Sequence, residues 1–127
     1  MIHVILLSNG IYDVICSMCI LWRNQTHSII STLHTGMFRD ECNEKTERIL
    51  AYWVFTYGMV RIIAGIQPSR TAYIMAATTY FSEAVCLEYE SYIGEMHKGK
   101  VRFVSVVSMG LGLFLLNASC KICFSDE

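Results

Sequence analysis

The chain has 127 residues, 54% of them hydrophobic and 17% charged, and its formal net charge is −1. Soluble domains average about 45–50% apolar and about 25% charged residues, so the composition favours a membrane protein, and the length fits one domain over residues 1–127. The near-zero net charge and the lack of a basic stripe exclude nucleic acid as an expected partner.

The first apolar run predicts a membrane-spanning helix over residues 2–22, because about 18 or more mostly apolar residues are long enough to cross a bilayer. Asn9 and Asp13 make this run polar for a span. It lacks a basic leading region and a small-residue cleavage site, so we expect a retained helix rather than a signal peptide. Residues 23–48 follow; they include the charged stretch RDECNEKTER and predict a polar connection.

The second apolar run, residues 49–66, reads ILAYWVFTYGMVRIIAGI and contains one charge, Arg61. Pro68 comes next and predicts a turn, because proline stops a helix and the residue before it avoids the α region. The third run, residues 72–93, carries three acids in its later part: Glu83, Glu88 and Glu90.

The fourth run, residues 101–120, is the cleanest span of the four. Together the runs predict an all-α fold, a four-transmembrane-helix bundle in a single membrane domain. The alternative is a soluble helical protein with very apolar helices. Four runs near spanning length in so short a chain disfavour that alternative.

Arg61 and the acids in the other runs predict a polar contact inside the bundle. A guanidinium is costly to hold in hydrocarbon, so it normally faces other helices and finds an acid. Asp13, Glu83 and Glu90 are the candidate partners. The set is either a structural interhelical lock or a proton relay or ligand site. We favour the lock, because one arginine among several acids forms a pair more readily than a pathway.

The third helix is predicted to present a small and polar face to its neighbours. Residues at a 3-4-3-4 spacing share one side of a helix. Those residues are Ala76, Thr79, Glu83, Cys86 and Glu90. The outward face is then expected to contain Ile74, Tyr80, Phe81 and Leu87.

No pattern in the chain predicts catalysis, a cofactor or a metal. CxxC spacings occur at Cys16–Cys19 and Cys120–Cys123, but one pair lies inside a predicted span and the other at a membrane edge, where metal ligands are not expected to converge. The four histidines fall at or outside the span edges, so two helices are not expected to clamp a haem. Phosphate-binding loops and nucleophile elbows are absent from the sequence. We therefore expect a non-enzymatic protein.

The stretch from residue 48 to residue 94 resembles the Erg28 family of small endoplasmic-reticulum membrane proteins. An arginine opens the second helix, a tryptophan follows, and a second arginine comes eight residues after the tryptophan. A tyrosine starts the third helix, with a threonine six residues later and an acid seventeen residues later. The matching positions are Arg48, Trp53, Arg61, Tyr73, Thr79 and Glu90.

The resemblance implies a scaffold that tethers the sterol C-4 demethylation enzymes to the endoplasmic-reticulum membrane. Its implied partners are other integral membrane proteins and the lipid bilayer, with contact to lipid or sterol. Two other functions fit the same predicted fold. One is an accessory subunit of a large membrane assembly, such as a respiratory complex of the mitochondrial inner membrane or the membrane or capsid layer of a virus. The other is a small transporter or proton-handling protein built on the intramembrane charges.

Overall fold

The computed structural model describes residues 1–22, 36–38, 43–94 and 96–125, with side chains to residue 121. Most of the predicted polar connection, residues 23–35 and 39–42, lies outside the described residues. The helices are α1 (Ile2–Leu21), α2 (Glu44–Ile66), α3 (Arg70–Ile93) and α4 (Lys98–Ser125). Within the described ranges the only β pairing is an isolated bridge between Phe38 and Met96. The predicted all-α fold is confirmed.

Three helices, not four, are long and apolar enough to cross a membrane. They are α1, α2 and the Lys98–Lys121 part of α4. The predicted bundle is therefore confirmed as four helices, of which three meet this criterion and α3 does not. The length of α3 is sufficient, but its glutamates, tyrosines and threonines lower its hydropathy below that of the other helices.

Side-chain caps fix where α2 and α3 begin. The Asn43 side chain accepts a hydrogen bond from the Thr46 amide at 2.9 Å, and Ser69 accepts one from the Ala72 amide at 3.1 Å. Such caps satisfy amides that have no partner inside the helix. The cap at Asn43 explains why α2 begins five residues before the predicted start at residue 49. Gly94 ends α3 with a φ of +98°, a conformation that favours glycine.

The helices pack mainly as two pairs, α1 with α2 and α3 with α4, and α2 makes a smaller contact with α3. In the first pair the backbones touch. A Cβ atom added at Gly10 would lie 2.7 Å from the Gly58 carbonyl oxygen, and one added at Gly58 would lie 2.8 Å from the Gly10 oxygen. Contacts this close are possible only between glycines. In a bilayer, where no hydrophobic force drives helices together, such close approach would supply the packing attraction.

Small side chains also line the contact between α3 and α4, but here side chains rather than backbones meet. The Ser105 hydroxyl donates to the Ala84 carbonyl at 3.5 Å. A Cβ at Gly112 would lie 2.8 Å from the Phe81 ring, the end of a side chain that can turn. The α3–α4 contact therefore depends on side chains that can change their rotamers.

The predicted outward face of α3 is wrong at two positions. Tyr80 and Leu87 were expected to face outward, but only 1% and 5% of their surfaces are exposed. Cys86, expected to face inward, is exposed. The physical reason is that α3 has a neighbour on each of two sides, so it buries a second stripe against α4 besides the one that faces α2.

Candidate functional site

Arg61 lies at the centre of the bundle, and each of its three guanidinium nitrogens donates a hydrogen bond. Nη1 lies 2.5 Å from Asp13 Oδ2 on α1. Nη2 lies 2.6 Å from Glu83 Oε2, and Nε lies 3.2 Å from Thr79 Oγ1, both on α3. The arginine is 2% exposed, so this charge is removed from solvent and held by two neighbouring helices.

Tyrosine and asparagine side chains surround the ion pairs. The Arg61 Cζ atom lies 3.8 Å from the centre of the Tyr80 ring, and a second ring, Tyr57, lies at 5.7 Å. A cation over an aromatic face is attracted by the ring quadrupole, and more strongly where water is excluded. The Tyr80 hydroxyl accepts a bond from the Asn9 amide at 2.6 Å. These contacts join α1, α2 and α3.

The two carboxylates of the cluster lie near the middle of their helices, and Arg61 reaches them from a position five residues before the end of α2. Asp13 is eleven residues into α1, about 16 Å along its axis at 1.5 Å per residue. Glu83 is thirteen residues into α3, about 20 Å along that axis. A hydrocarbon core is about 30 Å thick, so in a bilayer the ion pairs would lie close to its midplane.

Two carboxylates face one guanidinium, so the three charges sum to −1 when both acids are ionised. Asp13 is 4% exposed, whereas the Glu83 side chain is 18% exposed. Glu83 Oε2 also accepts a bond from the Ser108 hydroxyl on α4 at 3.3 Å. Glu83 lines a groove of about 380 Å³ between α1 and α4. The cluster is therefore accessible from this groove, and a much smaller cavity of about 20 Å³, lined by Trp53 and Tyr57 of α2, also reaches it.

Of the three acids suggested by the sequence, the structure places Asp13 and Glu83 at the guanidinium and Glu90 elsewhere. Glu90 lies nearly two turns beyond Glu83 and within one turn of the end of α3, and it is half-buried. It lies about 10 Å along the axis of α3 from Glu83, and the guanidinium is fully bonded without it.

The other positions that carry the family resemblance are spread along the bundle. Arg48 lies on the surface with Nη1 3.9 Å from Glu44 Oε2. The Trp53 and Tyr57 rings have centres 5.1 Å apart. The Tyr73 hydroxyl lies 3.4 Å from His3 Nδ1. Of this set, only Arg61 and Thr79 belong to the polar cluster.

Sequence reasoning missed Asn9, Tyr80 and Ser108 as members of the cluster. Asn9 and Ser108 are polar side chains in apolar runs, a signal that was present in the sequence. Tyr80 gave no such signal, because its ring is apolar and its place depends on a second buried face of α3.

Potential metal ligands do not come together in the described part of the chain: no three His, Cys, Asp or Glu side chains there are placed to hold an ion. The Cys16 thiol is buried, the Cys19 thiol is half-buried and the Cys120 thiol is exposed. The Cys123 side chain lies outside the described side chains.

Comparison of the chain with protein-family models, curated proteins and solved structures gives no match. The likeness to the Erg28 family therefore depends only on the residues at the positions given above.

Proposed function

We propose that the chain is a non-enzymatic integral membrane scaffold, in which four packed helices cross the bilayer and present apolar outer faces to other membrane proteins. The observation that carries this proposal is the complete bonding of Arg61 by its own neighbours. A cation so fully engaged acts as a structural lock between helices. Breaking a buried ion pair by removing one partner is strongly destabilising, which fits a role in holding a fixed shape.

Passage of α3 through the bilayer is part of this proposal, although α3 is the least apolar helix. Its Glu83 is paired with Arg61, and the hydroxyl of Thr79 donates to the Ala76 carbonyl at 2.7 Å. Glu88 and Glu90 lie close enough to the end of the helix to reach the head-group region. The polar groups of α3 are thus bonded internally or placed near an interface.

The outer faces supply the surface that a scaffold needs. Phe103 on α4 is 74% exposed, and Tyr92 on α3 is 85% exposed. Helices with exposed aromatic and aliphatic side chains fit contact with lipid or with other spanning helices. The resemblance to the Erg28 family favours the endoplasmic reticulum as the membrane and sterol C-4 demethylation enzymes as the partners.

Affinity purification in mild detergent tests the scaffold role. We expect integral membrane proteins to co-purify in fixed proportion, and the family resemblance predicts sterol-modifying enzymes among them. Subunits of a respiratory or viral assembly in their place would favour the accessory-subunit function. Recovery of the chain alone from gently solubilised membranes would contradict both.

A transporter or proton-handling function is the second candidate, because Glu83 is partly exposed to the groove between α1 and α4. Flux measurements on the purified protein in vesicles separate the two. The scaffold account expects Arg61→Leu to lower abundance and assembly. An Arg61→Leu protein that assembles normally but loses a flux present in the wild type would instead support transport.

A further inference from the structure

We propose that the groove between α1 and α4 binds a cationic amphiphile, a molecule with an apolar chain or ring and one ammonium group. The groove has a volume of about 380 Å³. Binding sites for small molecules usually measure about 300–1,000 Å³ and combine apolar walls with a few convergent polar groups. This inference depends on the bilayer placement of the helices and not on the scaffold role.

The walls of the groove are suited to an apolar body. They are formed on α4 by Phe103, Val104, Val107 and Leu111. Phe103 and Val107 are 74% and 45% exposed, so the side of the groove opens outward. In a bilayer that opening faces the acyl chains, and a lipid-like molecule can enter without crossing water.

The inner end of the groove is suited to a cation. It is lined by Asp13, Arg61 and Glu83, whose charges sum to −1 when both acids are ionised. The other cation of the lining, Lys100, lies eight residues before Ser108 on α4, about 12 Å along that axis, and its Nζ donates to the Gly36 carbonyl at 2.9 Å. An unbalanced negative charge near the midplane of a bilayer is costly, and a ligand that brings one positive charge removes that cost. Because Glu83 is the more exposed of the two acids, the ammonium group is placed at its carboxylate.

Photolabelling of the purified full chain in phosphatidylcholine nanodiscs tests the proposal. The probe is a long-chain primary amine with a diazirine in the chain, and its control is the alcohol of the same length. We expect the amine to label residues 103–111 about tenfold more than the alcohol, because charged hydrogen bonds are stronger than neutral ones by about that factor in affinity. Equal labelling by both probes, or no saturable labelling, would overturn the proposal.

Two matched variants locate the site. Val107→Trp fills the groove, whereas Val106→Trp places the same ring on the outward side of α4, where Val106 is 66% exposed. We expect the first variant to lose most amine labelling and the second to keep it. If both variants label as the wild type does, the groove is not the site.

Glu83→Gln tests the role of the charge in ligand binding, because it removes the negative charge of this side chain and keeps its size. The glutamine amide oxygen can still accept the bonds from Arg61 Nη2 and the Ser108 hydroxyl, and Arg61 keeps its ion pair with Asp13, so the variant should fold. We expect amine labelling to fall about tenfold and alcohol labelling to stay the same. Unchanged amine labelling would contradict the assigned role of Glu83. Because no partner protein is present, a negative result here is distinct from failure of the scaffold proposal.

Discussion

The α1–α2 pair and the α3–α4 pair are held together by different kinds of contact. Gly10 and Gly58 bring two backbones together in the first pair, whereas Gly112 meets a movable phenyl ring in the second. Between the pairs, Arg61 on α2 bonds Glu83 and Thr79 on α3, and an apolar cluster that includes Leu6 and Leu115 lies beside these bonds. Packing thus forms each pair, and a buried polar cluster with an apolar neighbour joins them.

Arg61→Leu should cause the largest loss of stability, because it leaves the carboxylates of Asp13 and Glu83 without a cation. We expect the free energy of unfolding in detergent micelles to fall by about 3–5 kcal/mol. Met59→Leu, on the exposed side of the same helix, is the control and should change little. Equal stability of the two variants would show that the cluster does not hold the pairs together.

The triple variant Arg61→Leu, Asp13→Leu, Glu83→Leu tests whether unpaired charge causes this loss of stability. Replacing a whole buried ion cluster with apolar side chains is often nearly neutral. We expect this variant to recover most of the stability that Arg61→Leu loses. A triple variant less stable than the single one would contradict the interpretation that unpaired charge is the cause.

Gly10→Ala should cause the next largest loss. Its new methyl group would press on the α2 backbone, and overpacking of this kind costs about 1–3 kcal/mol. Gly112→Ala should cost less, since the Phe81 ring can turn away. Gly110→Ala has open space around it and serves as the control. Unfolding measurements that give Gly10→Ala and Gly110→Ala the same stability would refute close backbone packing in the first pair.

Tyr80→Phe should have the smallest effect. It removes the hydroxyl that accepts from Asn9 but keeps the ring over Arg61. Hydrogen bonds between membrane helices average about 0.6 kcal/mol, and we expect a loss of that size in the same unfolding assay. Tyr80→Leu, which also removes the ring, should lose more. If the two variants lose equally, the stacking contact contributes nothing measurable.

The charged cluster could be predicted because charges are rare in such runs: Arg61, Asp13 and Glu83 are conspicuous among apolar residues. The choice between Glu83 and Glu90 could not be made, because both lie on one stripe of α3 and only the axial offset of neighbouring helices decides between them. The position of Tyr80 depends on α3 having two buried sides. The second buried side arises from the way the four helices pack, and the hydrophobic periodicity of α3 does not reveal it.

The contact between Gly10 and Gly58 was equally inaccessible from the sequence. Glycines in apolar helices are common, and which two meet depends on the register of the pair. The helices themselves could be predicted from the long apolar runs. The cap at Asn43 changed only the residue at which α2 begins. The sequence thus supplied helices and charges, while the offsets between helices required the structure.

A double-mutant cycle on Arg61 and Glu83 tests most directly whether a buried ion pair joins the two helix pairs. The free energy of unfolding would be measured for the wild type, Arg61→Leu, Glu83→Leu and the double variant in the same detergent micelles. We predict a coupling free energy of about 0.5–3 kcal/mol, the range for residues in one polar network. Strictly additive losses would contradict the account, because they would mean that the two side chains do not stabilise each other.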